Sequence, residues 1–202
     1  HNNNTIREYI RNFIMSKLET NTIDTVSGTT NLTIGSTNSS TVTFESGSCT
    51  NHNYPAFEAY LENHQSIADN AQDKVLNNIE VFDSDNCYDN TTNYRFTPNK
   101  AGKYFVYGRA TFDDGAGDMR QSILYIFKNG SQIASAKLNF DNSSTNEGEG
   151  GTPILNTIID MNGSSDYLEM FGEYDSNDGG TANIQGNANV RSTNFGAFRL
   201  GS

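Results

Sequence analysis

Residues 94–112 read Tyr-Arg-Phe-Thr-Pro-Asn-Lys-Ala-Gly-Lys-Tyr-Phe-Val-Tyr-Gly-Arg-Ala-Thr-Phe. A short aromatic run ends at Phe96, Pro98 and Gly102 supply a turn, and a longer strand begins at Lys103. Side chains alternate along a strand. Tyr104, Val106, Gly108, Ala110 and Phe112 therefore point one way, and Phe105, Tyr107, Arg109 and Thr111 the other. A half-buried strand carries one apolar and one soluble face. This one carries aromatics on both, so the second face needs a cover, and a second copy of the chain is the simplest one.

Working outward, short alternating runs separated by Gly and Asn turns predict strands at about 55–62, 66–68, 74–76, 79–82, 93–97, 103–112, 121–128, 131–139, 153–160, 166–173 and 194–200. Many short strands of this kind indicate a β-sandwich or jelly roll. Asn129-Gly130 is a hairpin signal, because both residues accept positive φ. Asn162-Gly163 predicts a similar turn in the next pair.

The 202 residues suit one domain of about 150 residues plus an appendage. The chain opens on His1 rather than Met, which leaves room for an upstream portion. No run approaches the ~18 apolar residues of a membrane span, and no signal peptide is visible. A net charge of −11 argues against nucleic acid as partner, since phosphate contact needs clustered Lys and Arg. The two cysteines, Cys49 and Cys87, make either one disulfide in an oxidising compartment or two unpaired thiols.

Upstream of the sandwich the pattern changes twice. Residues 1–20 predict a helical, coiled-coil-like segment, in which Ile6, Ile10 and Phe13 belong to an apolar stripe at helical spacing. Residues 21–53 form a Thr/Ser-rich stem of short alternating strands about nine residues apart, the pattern of a fibrous shaft in which three chains share one thin core. A polar linker is the other reading of that stem. The head then occupies residues 54–202.

Phe96, Gly102, Tyr104 and Tyr107 together resemble the signature of the complement-head (C1q-like) branch of the tumour-necrosis-factor superfamily. Pro55 to Leu61 is similar to that domain's first strand. Phe82-Asp83 and Asp89-Asn90 are similar to the segment before the signature, and Ile126 to Gly130, Asp166 to Glu169 and Phe195 to Phe198 follow in the family's order. Val106 and Gly108 depart from the pattern, standing where bulkier aromatics are usual. The resemblance implies an all-β, ten-stranded jelly roll that forms a homotrimer. It also implies that Phe57, Tyr104, Tyr107, Phe112, Phe195 and Phe198 lie in the core or at the trimer interface.

In that fold the last strand ends beside the start of the first, which gathers the loops 113–120, 140–152 and 174–193 at the far end. Long loops on a rigid sandwich commonly carry binding. Asp113, Asp114, Asp118, Asp175 and Asp178 fall in these loops. They read either as solvated acidic turns or as oxygen ligands for Ca2+, which some complement-like heads hold.

No Gly-x-Ser-x-Gly elbow, Walker loop or EF-hand loop is present, and no pair of carboxylates comes with the Trp platforms of a glycosidase. The sequence therefore predicts a binding protein and no enzyme. Helix, Thr-rich shaft and head make the layout of a phage fibre or spike at the virion surface. Such a chain would join other virion proteins through its stem and attach to a host surface glycan or protein, without membrane insertion. A capsid decoration protein is the alternative, and a tail-associated depolymerase a third reading.

Overall fold

The computed structural model describes residues 54–115, 118–140 and 148–201. The expected helix with Ile6, Ile10 and Phe13, the expected stem, and Cys49 lie outside the described residues.

The described chain is all β. Its strands are β1 (Ala56–Tyr60), β2 (Gln65–Ala68), β3 (Gln72–Lys74), β4 (Ile79–Asp83), β5 (Tyr88–Asp89), β6 (Arg95–Phe96), β7 (Ala101–Arg109) and β8 (Phe112–Asp113). They continue as β9 (Met119–Lys128), β10 (Ser131–Asn139), β11 (Gly150–Gly151), β12 (Ile154–Asn162), β13 (Leu168–Ser176), β14 (Thr181–Ile184) and β15 (Asn194–Gly201). One layer, the inner sheet, runs in the order β12-β7-β15-β1-β4. The outer sheet runs β10-β9-β13-β6-β5, with β3 also on β13. These two five-strand paths are the jelly roll that the resemblance implies. A third sheet, β11-β8-β14-β2, was not foreseen.

The third sheet accounts for the main departures. The expected single strand 103–112 breaks after Arg109. Ala110 N–H bonds to Pro153 O, Thr111 N–H to Thr193 Oγ1, and the chain re-enters a different sheet at Phe112. The expected loop 174–193 contains the end of β13 and all of β14, and the expected loop 140–152 contains β11.

The core lies between the two main layers and is aromatic at its centre. Phe57 stacks between Tyr88 and Phe96, each 4.5 Å away by ring centroid, and meets Phe195 edge-on at 5.0 Å. Leu124, Ile126, Leu168 and Met170 face them from the outer sheet. Gly108 has a packing reason for departing from the family pattern, because a Cβ there would lie 2.8 Å from Met170 Sδ. The methionine fills the space that a larger residue at 108 would take.

The hairpin at Asn129-Gly130 forms with both residues at positive φ, 53° and 77°. The second turn differs from the expected pattern. Only Gly163 takes positive φ there, while Asn162 Oδ1 accepts the amides of Ser164, Ser165 and Asp166. Among the described residues Cys87 is a buried thiol without a disulfide partner; it donates to Asp85 O, and burial pushes its pKa up.

Candidate interaction surface

Strand alternation assigns the site. In β7 the even residues Tyr104, Val106 and Gly108 are buried in the sandwich, and Phe105, Tyr107 and Arg109 project from its opposite face. Strand registers extend that face across the inner sheet in rows. One row is Ile158, Phe105, Phe198 and Ala56, and the next is Asn156, Tyr107, Gly196, Glu58 and Phe82. A third is Ile154, Arg109, Asn194, Tyr60 and Ile79. Ile154 is 63% exposed, Ile158 58%, Phe82 47% and Phe198 43%. Phe105 and Phe198 pack ring on ring at 5.3 Å, so the middle of the face is aromatic.

A polar chain crosses this apolar face. Tyr107 lies flat over Gly196, where any Cβ would run into its ring, and so reaches β1. Its hydroxyl donates to Glu58 Oε2 at 2.8 Å, and Arg191 Nη1 stands 3.3 Å from Glu58 Oε1. The Arg191 guanidinium sits 5.6 Å over the Tyr60 ring, and Arg109 Nη2 donates to Arg191 O at 2.7 Å. Burial, reinforced by the Glu58 carboxylate, raises the Tyr107 pKa, so this hydroxyl stays a donor.

The six aromatics expected in core or interface divide cleanly. Phe57, Tyr104, Phe112 and Phe195 are fully buried within the protomer. Phe198 and Tyr107 belong to the outward face. Phe82, Ile154, Ile158, Glu58 and Arg191 were missed. For Ile154 and Ile158 a signal existed, since residues four apart in a strand share a face.

The distal loops do gather at one end, because β15 closes beside the start of β1, with Arg199 N–H bonded to Pro55 O. At the opposite end Asp114 N–H bonds to Glu149 O, Asn177 N–H to Asp118 O and Gln185 N–H to Thr111 O. Between them opens a polar groove of about 360 Å³, lined by Thr111, Asp113, Glu149, Thr152 and Gln185.

The expected calcium ligands are near this end, and four of the five, Asp113, Asp114, Asp175 and Asp178, have side-chain partners of their own. Asp113 takes the Gln185 amide on one oxygen and the Gly115 amide on the other. Asp114 accepts from Asp118 N–H and Tyr174 Oη. Asp175 is 3.8 Å from Arg120. Asp178 caps its own turn, and the Gly180 amide holds its pKa below the usual carboxylate range. Among the described residues no three acidic, His or Cys side chains converge as a metal-donor set. Among the described residues the arrangement does not assemble a calcium cage.

Murine APRIL at pH 5.0 aligns with a TM-score of 0.52 at 9% identity, over 73% of this chain and 99% of that one. The shared fold is a jelly roll. The globular domain of zebrafish complement 1qA protein aligns at 0.49 and 13% identity, over 73% of this chain and 98% of that one. Eiger TNF from S. frugiperda aligns at 0.48 and 9%, over 74% and 92%. At these identities the likeness is one of jelly-roll fold. No protein-family model and no curated protein matches the sequence. In this jelly roll no described helix is long and apolar enough to cross a membrane.

Proposed function

We propose that this jelly roll assembles as a homotrimer through the outward face of its inner sheet and serves as a non-enzymatic binding head. One observation carries the reading. An apolar face, centred on Phe105 and Phe198 and flanked by Ile154, Ile158 and Phe82, is left exposed among the described residues. Soluble monomers rarely expose such a patch. The shaft pattern expected of residues 21–53 supports three copies, and the loops at the distal end are then the surface presented.

The helix, shaft and head order supports a phage fibre or spike that attaches to a host surface glycan or protein. Capsid decoration is the second reading, favoured by the same layout if the helix and stem are the anchor. The distal acids support no hydrolytic role, being occupied by backbone amides, Gln185, Tyr174 and Arg120.

Light scattering on the purified protein tests assembly, with three times the chain mass expected and a stable monomer overturning it. Labelling the head on intact particles tests location. Sparse or tail-associated label is expected, label over the whole shell makes it decoration, and the absence of any particle removes the virion reading.

A further inference from the structure

A second cleft, of about 280 Å³, opens beside the third sheet and is lined by Leu61, Asn63, His64, Leu76, Asn78 and Tyr94, with Gln65 in one wall. We propose that it binds a single neutral sugar ring. The proposal rests on the binding-head reading above and names its ligand class.

The cleft is constructed by specific contacts. Gln65 clamps one wall, donating from Nε2 to Lys74 O at 2.8 Å and accepting the Leu76 amide on Oε1 at 3.0 Å. Tyr94 holds φ at 49°, a left-handed conformation uncommon for an aromatic residue. The turn that imposes it is secured on both sides of Asn93. Asp89 Oδ2 accepts Asn93 N and Nδ2 at 3.1 and 2.7 Å, while Lys74 Nζ donates to Asn93 O at 3.0 Å. Strain held in place by its surroundings tends to mark binding sites. Here it sets an aromatic ring in the wall of a cleft.

The lining has the chemistry of a neutral polyol with one apolar face. Tyr94 and Leu76 give the apolar surface on which the C–H face of a pyranose packs, with Leu61 buried beneath it. Asn63, His64 and Asn78 give the polar edge. His64 Nδ1 accepts the Gly186 amide at 3.3 Å, which in the neutral ring leaves the proton on Nε2 as a donor. Asn78 Oδ1 is taken by the Glu62 amide, so its Nδ2 is a second donor, with no acceptor among the described residues. Asn63 Oδ1, with no donor on it among the described residues, supplies an acceptor, and its Nδ2 is engaged by Glu62. Vicinal hydroxyls, each donor and acceptor, match that set.

Charge narrows the class. Among the described residues no Lys or Arg lines the cleft, the Glu62 carboxylate stands beside it on Asn63, and the chain carries a net charge of −11, so an anionic sugar is repelled. At about 280 Å³ the space is just under the ~300 Å³ lower end for drug-sized ligands, which suits one ring.

Saturation-transfer NMR on the full chain tests this, with methyl glycosides of glucose, galactose, mannose and N-acetylglucosamine as neutral probes and a methyl sialoside as the anionic one. Transfer to at least one neutral glycoside is expected, strongest for the protons of one ring face, and absent for the sialoside. Tyr94→Gly, which keeps the turn's positive φ while removing the ring, should weaken binding at least tenfold at unchanged circular dichroism. Phe105→Glu, which disrupts assembly, should leave the sugar signal in place, so failure of the trimer reading is distinguishable from failure of this one. The proposal is overturned by silence from all four neutral glycosides, by transfer undiminished in Tyr94→Gly, by preference for the sialoside, or by a signal lost in Phe105→Glu.

Discussion

The Tyr107 hydroxyl, on the central strand β7, hydrogen-bonds to Glu58 Oε2 of β1 at 2.8 Å by laying its ring over Gly196 of the intervening strand β15. Glycine at 196 is therefore a requirement of Tyr107 rather than of its own backbone. Gly196→Ala should cost about 1–3 kcal/mol through overpacking. In a Tyr107→Ala background most of that cost should vanish, since the ring that the methyl meets is gone. Urea unfolding of the four proteins in the cycle measures it, and strictly additive losses would refute the relationship.

Phe105 is the middle of the bare face, with Phe198 on one side and Ile158 on the other. Phe105→Glu places a charge where the proposed trimer would exclude water, and an uncompensated buried charge is strongly unfavourable. The variant should run as a monomer in light scattering while keeping the far-ultraviolet spectrum of the folded head. A trimer that survives this substitution would move the interface elsewhere.

Inside the sandwich, Phe57 contacts Tyr88, Phe96 and Phe195 together. Phe57→Ala should lower stability by about 3–5 kcal/mol, the usual cost of emptying a buried ring site. Phe198→Ala, on the open face, should cost the isolated protomer much less. Denaturant midpoints under monomeric conditions, in a Phe105→Glu background, separate the two, and equal losses would contradict the division between core and face.

Asp89 receives the amides of Thr91, Thr92 and Asn93 and the Asn93 side chain, and the Thr92 amide leads in depressing its pKa. A depressed folded-state pKa stabilises the fold above the unfolded carboxylate value of about 3.9, and that contribution fades as pH falls from there towards the folded value. Asp89→Asn should therefore lose stability at neutral pH and show a flatter decline below about pH 4. Thermal melts from pH 7 to pH 2 give the comparison. Parallel curves for the two proteins would remove Asp89 from the acid response.

Calcium should leave the head unchanged. A ligand bound to the folded state alone raises stability by RT ln(1 + [L]/Kd), so a real site would show as a concentration-dependent rise in Tm. With the distal aspartates already engaged, millimolar calcium or a chelator should move Tm by less than about 1 °C. A larger rise that Asp113→Asn and Asp178→Asn abolish would reinstate the site.

Much of this architecture is legible along the chain. The alternation from Tyr104 to Arg109 assigns both faces of the central strand, and Asn129-Gly130 marks the hairpin it forms. Those are local properties, since side-chain period and turn dihedrals depend on neighbours in sequence. The third sheet is not local. Phe112-Asp113 and Gly150-Gly151 are two-residue strands with no period to read, formed because the loops at one end close on each other.

The same division holds at the sites. The sequence by itself determined that aromatics fall on both faces of one strand and that acidic residues crowd the distal loops. Only the tertiary structure decided that Phe198 joins Phe105 outside while Phe195 turns in, because strand register sets which residues become neighbours across a sheet. It also decided that the distal acids serve backbone amides and side chains nearby, and that Tyr94, Leu76 and Asn78 meet at one cleft. Those outcomes depend on distances between residues far apart in sequence, which no local pattern encodes.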